Sequence, residues 1–391
     1  MLAGRNGLMR KGKGMAVLVL LAALLCAQGC ESAGRASNEE GIAAYQAGEL
    51  NKAIGLFNQA ITQDSSCAEY YVNKGMALSA MTDYENALIC FEQAVNLDSG
   101  LAHAYRGKGI TCSREKDYPA AIAAFDQALA CIRDQKSSLA CDIIGYRAAA
   151  KTLSGDYDGA IADYETLIAC EYEKERMYLL LGHVYIKKQD VDLAMIQYQN
   201  SINQNHKDLK KYLEMAETLE AAGFEEERLR VLEAALSLTA DTDEKHYDRG
   251  VIYLELDQVK EAFAEFEQAY NMGYLQAGYY LGYCYELWEQ YSEAELIYQK
   301  QLTVSAQDAR IYNQLAVCQL KQQKYQEALV MINQGLALND QAVSDDLLWN
   351  RVVCYEKMRE YASAMTTLEE YLVKFPSDEK AKQELSYLRS R

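Results

Sequence analysis

The sequence predicts an all-α chain, a right-handed α-solenoid of stacked antiparallel helix pairs. Three observations carry that expectation. Only two prolines occur in 391 residues, and proline is the residue that most disrupts a helix interior. Half the residues are hydrophobic and a quarter charged, a composition with ample core material and unlike that of a disordered chain. The third is internal repetition. The run from Tyr84 to Ala94 (YENALICFEQA) returns as Tyr118 to Ala128 (YPAAIAAFDQA).

From the N-terminus, Arg5, Arg10, Lys11 and Lys13 form a basic stretch with no acid before Glu31. Met15 to Leu25 (MAVLVLLAALL) follows as an uncharged apolar run, extended through Cys26 to Ala27. The run is too short for a bilayer core, which needs about 20 residues, and it suits the apolar segment of a secretory signal. It closes on Ala27-Gln28-Gly29-Cys30. A small residue and then cysteine directly after such a segment resembles the lipobox of bacterial lipoproteins, with Ala27 where that family usually has leucine. The resemblance implies a signal peptide over residues 1–29, cleavage after Gly29, and a diacylglycerol on the Cys30 thiol. Glu31 to Asn38 (ESAGRASN) is small and polar, so residues 30–38 read as a lipidated cysteine and a short tether.

The repeat can be followed along the rest of the chain. A small anchor residue recurs as Ala53, Ala87, Ala121, Ala160, Ala194, Arg228, Ala262, Ala294, Ala328 and Ala364, and six of the nine intervals are 34. Four positions after each anchor stands a large apolar side chain: Phe57, Phe91, Phe125, Tyr164, Tyr198, Leu232, Phe266, Tyr298, Ile332, Leu368. Twelve positions before it stands glycine or alanine, except for Val352 in the last copy. Aromatic residues three before the anchor, such as Tyr84, Tyr118 and Tyr157, account for many of the 30 tyrosines. A small residue in each helix lets the two approach closely, and the bulky residue one turn on fills the gap to the next pair.

This pattern resembles the tetratricopeptide repeat family, whose period is about 34 residues. The resemblance implies about ten repeats over residues 39–378, each a helix pair that buries its faces only by stacking on its neighbours. Arg228 breaks the anchor rule in the sixth copy; either its stem snorkels outward or that pair sits further apart. Pro119 falls at the start of a second helix, where its missing N–H does no harm. The longest interval, from Ala121 to Ala160, adds a longer turn around Asp134–Ser138, a place where copies one to three would divide from the rest. After Pro376, Ser377-Asp378 supplies an N-cap for a terminal helix, and residues 379–391 read as a capping helix covered by Leu385 and Leu388.

Charge and motifs narrow the function. Beyond residue 30 there are 35 bases against 57 acids, a body that repels phosphate backbones, so nucleic acid is not expected as a partner. The four histidines (His103, His183, His206, His246) form no helical metal pair. No HExxH, GxSxG, P-loop or GxGxxG is present. A non-catalytic protein without cofactor or metal is expected. Cys284, Cys318 and Cys354 hold one place in three successive copies and read as buried thiols. Cys131 and Cys141 flank the long turn and could be bridged there.

In the tetratricopeptide family the first helices line a concave face that takes peptides. Helical phase puts His103, Arg106, Arg114, Arg176 and His183 on that face as a basic patch, and Tyr247, Tyr279, Tyr283 and Trp349 as an aromatic one. The competing reading is that these aromatics complete the core and the bases balance local acids. The expectation is a lipid-anchored scaffold on the extracytoplasmic face of a bacterial cell membrane that binds proteins or peptides. Two alternatives stand beside it: an envelope assembly factor for pilus, secretion or outer-membrane machinery, and an accessory enzyme or carbohydrate-binding protein.

Overall fold

The computed structural model describes residues 34–390. The signal peptide, Cys30 and the first part of the tether lie outside the described residues. Within them the chain is all-α, with 21 helices and no strand. They divide into two compact units, residues 34–206 with 217–225, and residues 207–216 with 226–390.

The first unit contains five helix pairs: α1 (Arg35–Gln46) with α2 (Leu50–Gln63), α3 (Ala68–Ala80) with α4 (Tyr84–Leu97), α5 (Ala102–Arg114) with α6 (Tyr118–Ala130), α7 (Ser138–Ser154) with α8 (Tyr157–Ala169), and α9 (Lys174–Lys187) with α10 (Val191–Gln204). Each helix packs on the next in chain order. Four of the five second helices, all but α2, start alike, because a helix start leaves orphan N–H groups that a short acidic side chain can accept. The side chains of Asp83, Asp117, Asp156 and Asp190 accept from Asn86, Ala120, Gly159 and Leu193 respectively.

Two expectations need correcting here. Residues 35–38 are not tether: α1 begins at Arg35, and Asn38 is buried, accepting from Asn73 Nδ2 at 2.9 Å. The helix is drawn that far back because Gly34 lies against the Tyr70 ring and the Ala60 carbonyl, a spot with no room for a side chain. Nor does the long turn divide the array. It is tied down by Gln135 Nε2, which donates to the carbonyls of Leu129 and Ile132 at 3.0 and 2.7 Å, and by Ser137, which caps α7. One apolar cluster runs unbroken across it from Ile110 to Val184.

Helices α11 (Leu209–Ala222) and α12 (Glu225–Leu236) fall where the two units divide. The second unit continues with α13 (Asp243–Glu255) and α14 (Val259–Asn271), α15 (Ala277–Leu287) and α16 (Tyr291–Leu302), α17 (Ala309–Lys321) and α18 (Tyr325–Ala337), α19 (Ser344–Lys357) and α20 (Tyr361–Lys374). It closes with α21 (Glu379–Arg389), N-capped by Asp378, whose Ala381, Leu385 and Leu388 pack on α20 and α19 residues including Leu368 and Leu348.

The repeat signature is the core. Nine anchor alanines are wholly buried, and the ten large residues four positions on are buried too. The remaining anchor, Arg228 in the sixth copy, does not snorkel outward. It is 8% exposed and its guanidinium turns to Glu255, Nη1 to Oε2 at 3.1 Å. The carboxylate at the end of α13 is what makes a cation tolerable in an alanine position. Each turn inside a pair contains one residue in the left-handed region: Gly48, Thr82, Lys116, Gly155, Gln189, Gly223, Asp257, Glu289, Gln323 and Arg359. Only three of these ten are glycine, so seven turns place an ordinary side chain where the backbone disfavours one.

Candidate functional site

First helices are the odd-numbered ones within each pair. Successive first helices also touch one another directly, α1 with α3, α3 with α5, and α5 with α7 in one unit, and α17 with α19 in the other. The second-helix pairs do not pack on each other to that extent, so the first-helix side is the tighter side of each stack. Polar side chains bridge this row about one repeat apart. Asn73 donates to Asn38, Thr111 to Ser79 at 2.9 Å, Arg106 to Asp142 at 2.5 Å, Gln314 to Glu286 at 3.1 Å, and Asn350 to Asn313 at 2.9 Å. Buried polar atoms need partners, and here the next repeat supplies them.

In the first unit the basic residues divide by role. Arg106 is 6% exposed; its charge is met by Asp142 and its guanidinium lies 5.2 Å from the Tyr146 ring centre. It is an internal strut between α5 and α7, so its assignment to an open basic patch is corrected. Arg114, two turns further along α5, is half-buried. Its Nη1 donates to the Ser79 hydroxyl at 3.0 Å, and no carboxylate among the described residues forms an ion pair with it. The hydroxyls of Tyr45 on α1 and Tyr146 on α7 both lie in the field of Arg106 and Arg114. Burial holds both phenols above their ordinary range, with the two arginines opposing. His103 shares this neighbourhood; burial and then the charge of Arg106 hold its imidazole below the usual histidine range, so it is neutral near pH 7. Arg176 and His183 stand two pairs on, half-buried on α9, where the His183 ring meets Tyr198 edge-on at 5.6 Å.

In the second unit the aromatic residues also divide. Tyr247 is buried in the core against Phe266, Tyr274 and Tyr280 and is no part of an open surface, which corrects its assignment. It follows the alanine-and-ring logic of the core instead of facing outward. Tyr279 is half-buried, packed on Tyr280 and Tyr298, with the Arg310 guanidinium 5.4 Å from its ring centre. Tyr283 is half-buried one turn on along α15. Trp349 on α19 is half-buried against Tyr371, with Lys380 from α21 5.7 Å from its ring centre. Glu286, two turns on from Tyr279 along α15, meets α17 through Gln314. Its carboxyl accepts from Tyr298 at 2.5 Å and Gln314 at 3.1 Å, and burial pushes it up to about 7.

The residues missed from sequence are Asp142 beside Arg106, Tyr45, Ser79 and Tyr146 beside Arg114, and Arg310 beside Tyr279. Each is on a first helix, and each lies near one repeat length or a multiple of it from its partner, a spacing that marks it only once a pairing residue is known.

Sequence profiles for the tetratricopeptide repeat match residues 64–134, 154–206 and 346–378. Ten helix pairs follow one another in the same order. The chain is built of tetratricopeptide repeats. Arrays of this repeat bind protein partners and are in general non-catalytic scaffolds. Among solved structures, this tetratricopeptide chain is similar to a tetratricopeptide repeat protein from Parabacteroides merdae (15% identity over 61% of this chain and 93% of that one, TM-score 0.45). It is also similar to PilW, a type IV pilus biogenesis factor (18% identity, 55% and 99%, TM-score 0.46), and to yeast Tom70 (14% identity, 91% and 88%, TM-score 0.44). No curated protein matches the chain. Among the described residues, no helix is long and apolar enough to cross a membrane, and no three His, Cys, Asp or Glu side chains group to hold a metal.

Proposed function

We propose that this protein is a lipid-anchored scaffold on the extracytoplasmic face of a bacterial membrane, and that it binds proteins or peptides along its first-helix row without catalysing a reaction. The observation that supports binding is Arg114: a half-buried cation without an ion-pair partner among the described residues, flanked by tyrosines from α1 and α7. Arginine and tyrosine are the side chains that most often dominate binding interfaces. In the second unit Tyr279, Tyr283 and Trp349 offer a corresponding aromatic row. Support for the anchor is the sequence alone, the basic stretch, apolar run and Gly29-Cys30 junction.

Two measurements test the reading separately. Intact mass of the protein from bacterial membranes, beside a Cys30→Ala variant, tests the anchor; a mature form starting at Cys30 with added diacylglycerol is expected, and a soluble unlipidated form overturns it. Binding is tested with an immobilised peptide library. Peptides held by the wild type should be lost or weakened at least tenfold by Arg114→Glu or by Tyr279→Ala with Tyr283→Ala, at unchanged helicity. Equal retention by both variants overturns the first-helix row as the binding face.

A further inference from the structure

Helices α7 and α8 are joined by a short turn and run antiparallel, so the first turn of α7 lies beside the last turn of α8. That brings together Cys141, the fourth residue of α7, and Cys170, the residue that caps α8. Cys141 is buried in the cluster that spans α5 to α9, Cys170 packs against the same cluster, and the two thiols are hydrogen-bonding neighbours. Both are free. The thiol nearest in sequence, Cys131, is engaged elsewhere: its Sγ approaches the Ser99 carbonyl at 3.7 Å, while Cys141 Sγ approaches the Lys136 carbonyl at 3.8 Å. The bridge the sequence suggested across the long turn therefore gives way to a different pair.

We propose that Cys141 and Cys170 form a dithiol that closes to a disulfide on meeting a small-molecule or protein disulfide, locking α7 to α8. The neighbouring thiols sit on facing helix ends, the kind of placement a disulfide needs, since it forms without backbone movement only between residues whose Cα atoms are close. Cys170 is the half-buried member and Cys141 the buried one, so Cys170 reacts first. Its thiol gives a proton to water, and the thiolate attacks one sulfur of the oxidant. That S–S bond breaks, a mixed disulfide forms, and the departing thiolate takes up a proton. Cys141 then loses its proton and attacks the Cys170 sulfur, displacing the second half of the oxidant, which also leaves as a thiol. The protein gives up two electrons and the oxidant becomes two thiols. Burial and the adjacent Cys170 hold the Cys141 thiol above its ordinary range, which fits it for the second, intramolecular step, where proximity compensates for a scarce thiolate.

The test uses the full chain and oxidised glutathione, and it does not depend on the lipid anchor or on any binding partner. After acid quench, denaturation and alkylation, trypsin places Cys131, Cys141 and Cys170 in separate peptides, residues 117–133, 137–147 and 152–174, each with one cysteine. The expected product is the 137–147 peptide joined to the 152–174 peptide, two hydrogens lighter than their sum and separated by reductant. Cys170→Ser, whose helicity is checked by circular dichroism, should lose that species and leave Cys141 alkylated. A link between 117–133 and 137–147, or full alkylation of both Cys141 and Cys170 in the oxidised wild type, overturns the proposal.

Discussion

Gly109 on α5 lies so close to Phe125 on α6 that a Cβ on the glycine would stand 2.5 Å from the ring. The same relationship, at the same separation along the chain, joins Gly41 to Phe57, Gly75 to Phe91, Gly182 to Tyr198, Gly250 to Phe266 and Gly282 to Tyr298, all at 2.4–2.8 Å. Where the large residue is aliphatic the small one grows: Ala216 with Leu232, Ala316 with Ile332, Val352 with Leu368. In these nine pairs volume is traded between the two positions, as close packing requires; the fourth copy, Ala148 with Tyr164, is the exception. Gly109→Ala should therefore destabilise by about 1–2 kcal/mol despite alanine's better helix propensity. Phe125→Leu should cost less on the Gly109→Ala background than in the wild type, a coupling of about 1 kcal/mol in a urea-denaturation cycle. Additive costs would show that the two side chains do not share one space.

Glu286 makes stability depend on pH. In the unfolded chain its carboxyl ionises near the ordinary 4.5, whereas in the fold burial among Tyr279, Tyr298, Gln314 and Cys318, with Lys321 as the nearby cation, pushes it up to about 7. Between those values the folded protein holds a proton that the unfolded chain has lost. Stability therefore falls as pH rises from about 4.5 to about 7 and levels off above, by about 3 kcal/mol. Glu286→Gln keeps a neutral group of the same shape and should flatten this component of the profile. An unchanged slope in that variant, read by chemical denaturation at several pH values, would exclude Glu286 as its source.

Arg106 and Asp142 should behave as one structural unit. Arg106→Ala leaves Asp142 in a mostly buried place without its cation and removes the contact with Tyr146, a loss of about 2–3 kcal/mol. Asp142→Ala alone should also destabilise, and the double variant should recover at least about 1 kcal/mol of the summed loss. Ligand affinity of the folded double variant should stay near wild type, in contrast to Arg114→Glu.

Thr82 is the least comfortable of the left-handed turn residues, because it is β-branched and its φ is 63°. The side chain is exposed, so Thr82→Asn relieves the backbone without touching a packed surface. We expect a gain of about 0.5–1 kcal/mol, visible as a higher denaturation midpoint with no change in its slope.

Most of the fold was legible because the repeat writes its core into fixed positions. Anchor alanines and the large residues after them can be read off at the repeat spacing, and all nine alanines are buried as that reading requires. Arg228 was legible as an exception but not its solution, since the partner Glu255 lies in the following helix pair with no pattern to point to it. The candidate site was read less well. Helical phase finds which residues share a face, and it placed Arg106, Arg114 and Tyr279 on first helices correctly. It cannot tell Arg106, whose charge is matched from the next repeat, from Arg114, whose charge is not. Nor does it show that Tyr247 is drawn into the core by three other rings. Such distinctions are made between repeats, where sequence distance carries little information.

The ten left-handed turn residues have a mechanical consequence. Since the corner stays left-handed whether it holds glycine, threonine or arginine, the bend is imposed by the two helices closing on each other, and the seven non-glycine corners act as springs held shut by that closure. Pulled from its ends, such a chain should give way one hairpin at a time, each release letting a strained corner relax. Re-closing would then start from the glycine corners at Gly48, Gly155 and Gly223, which resist least.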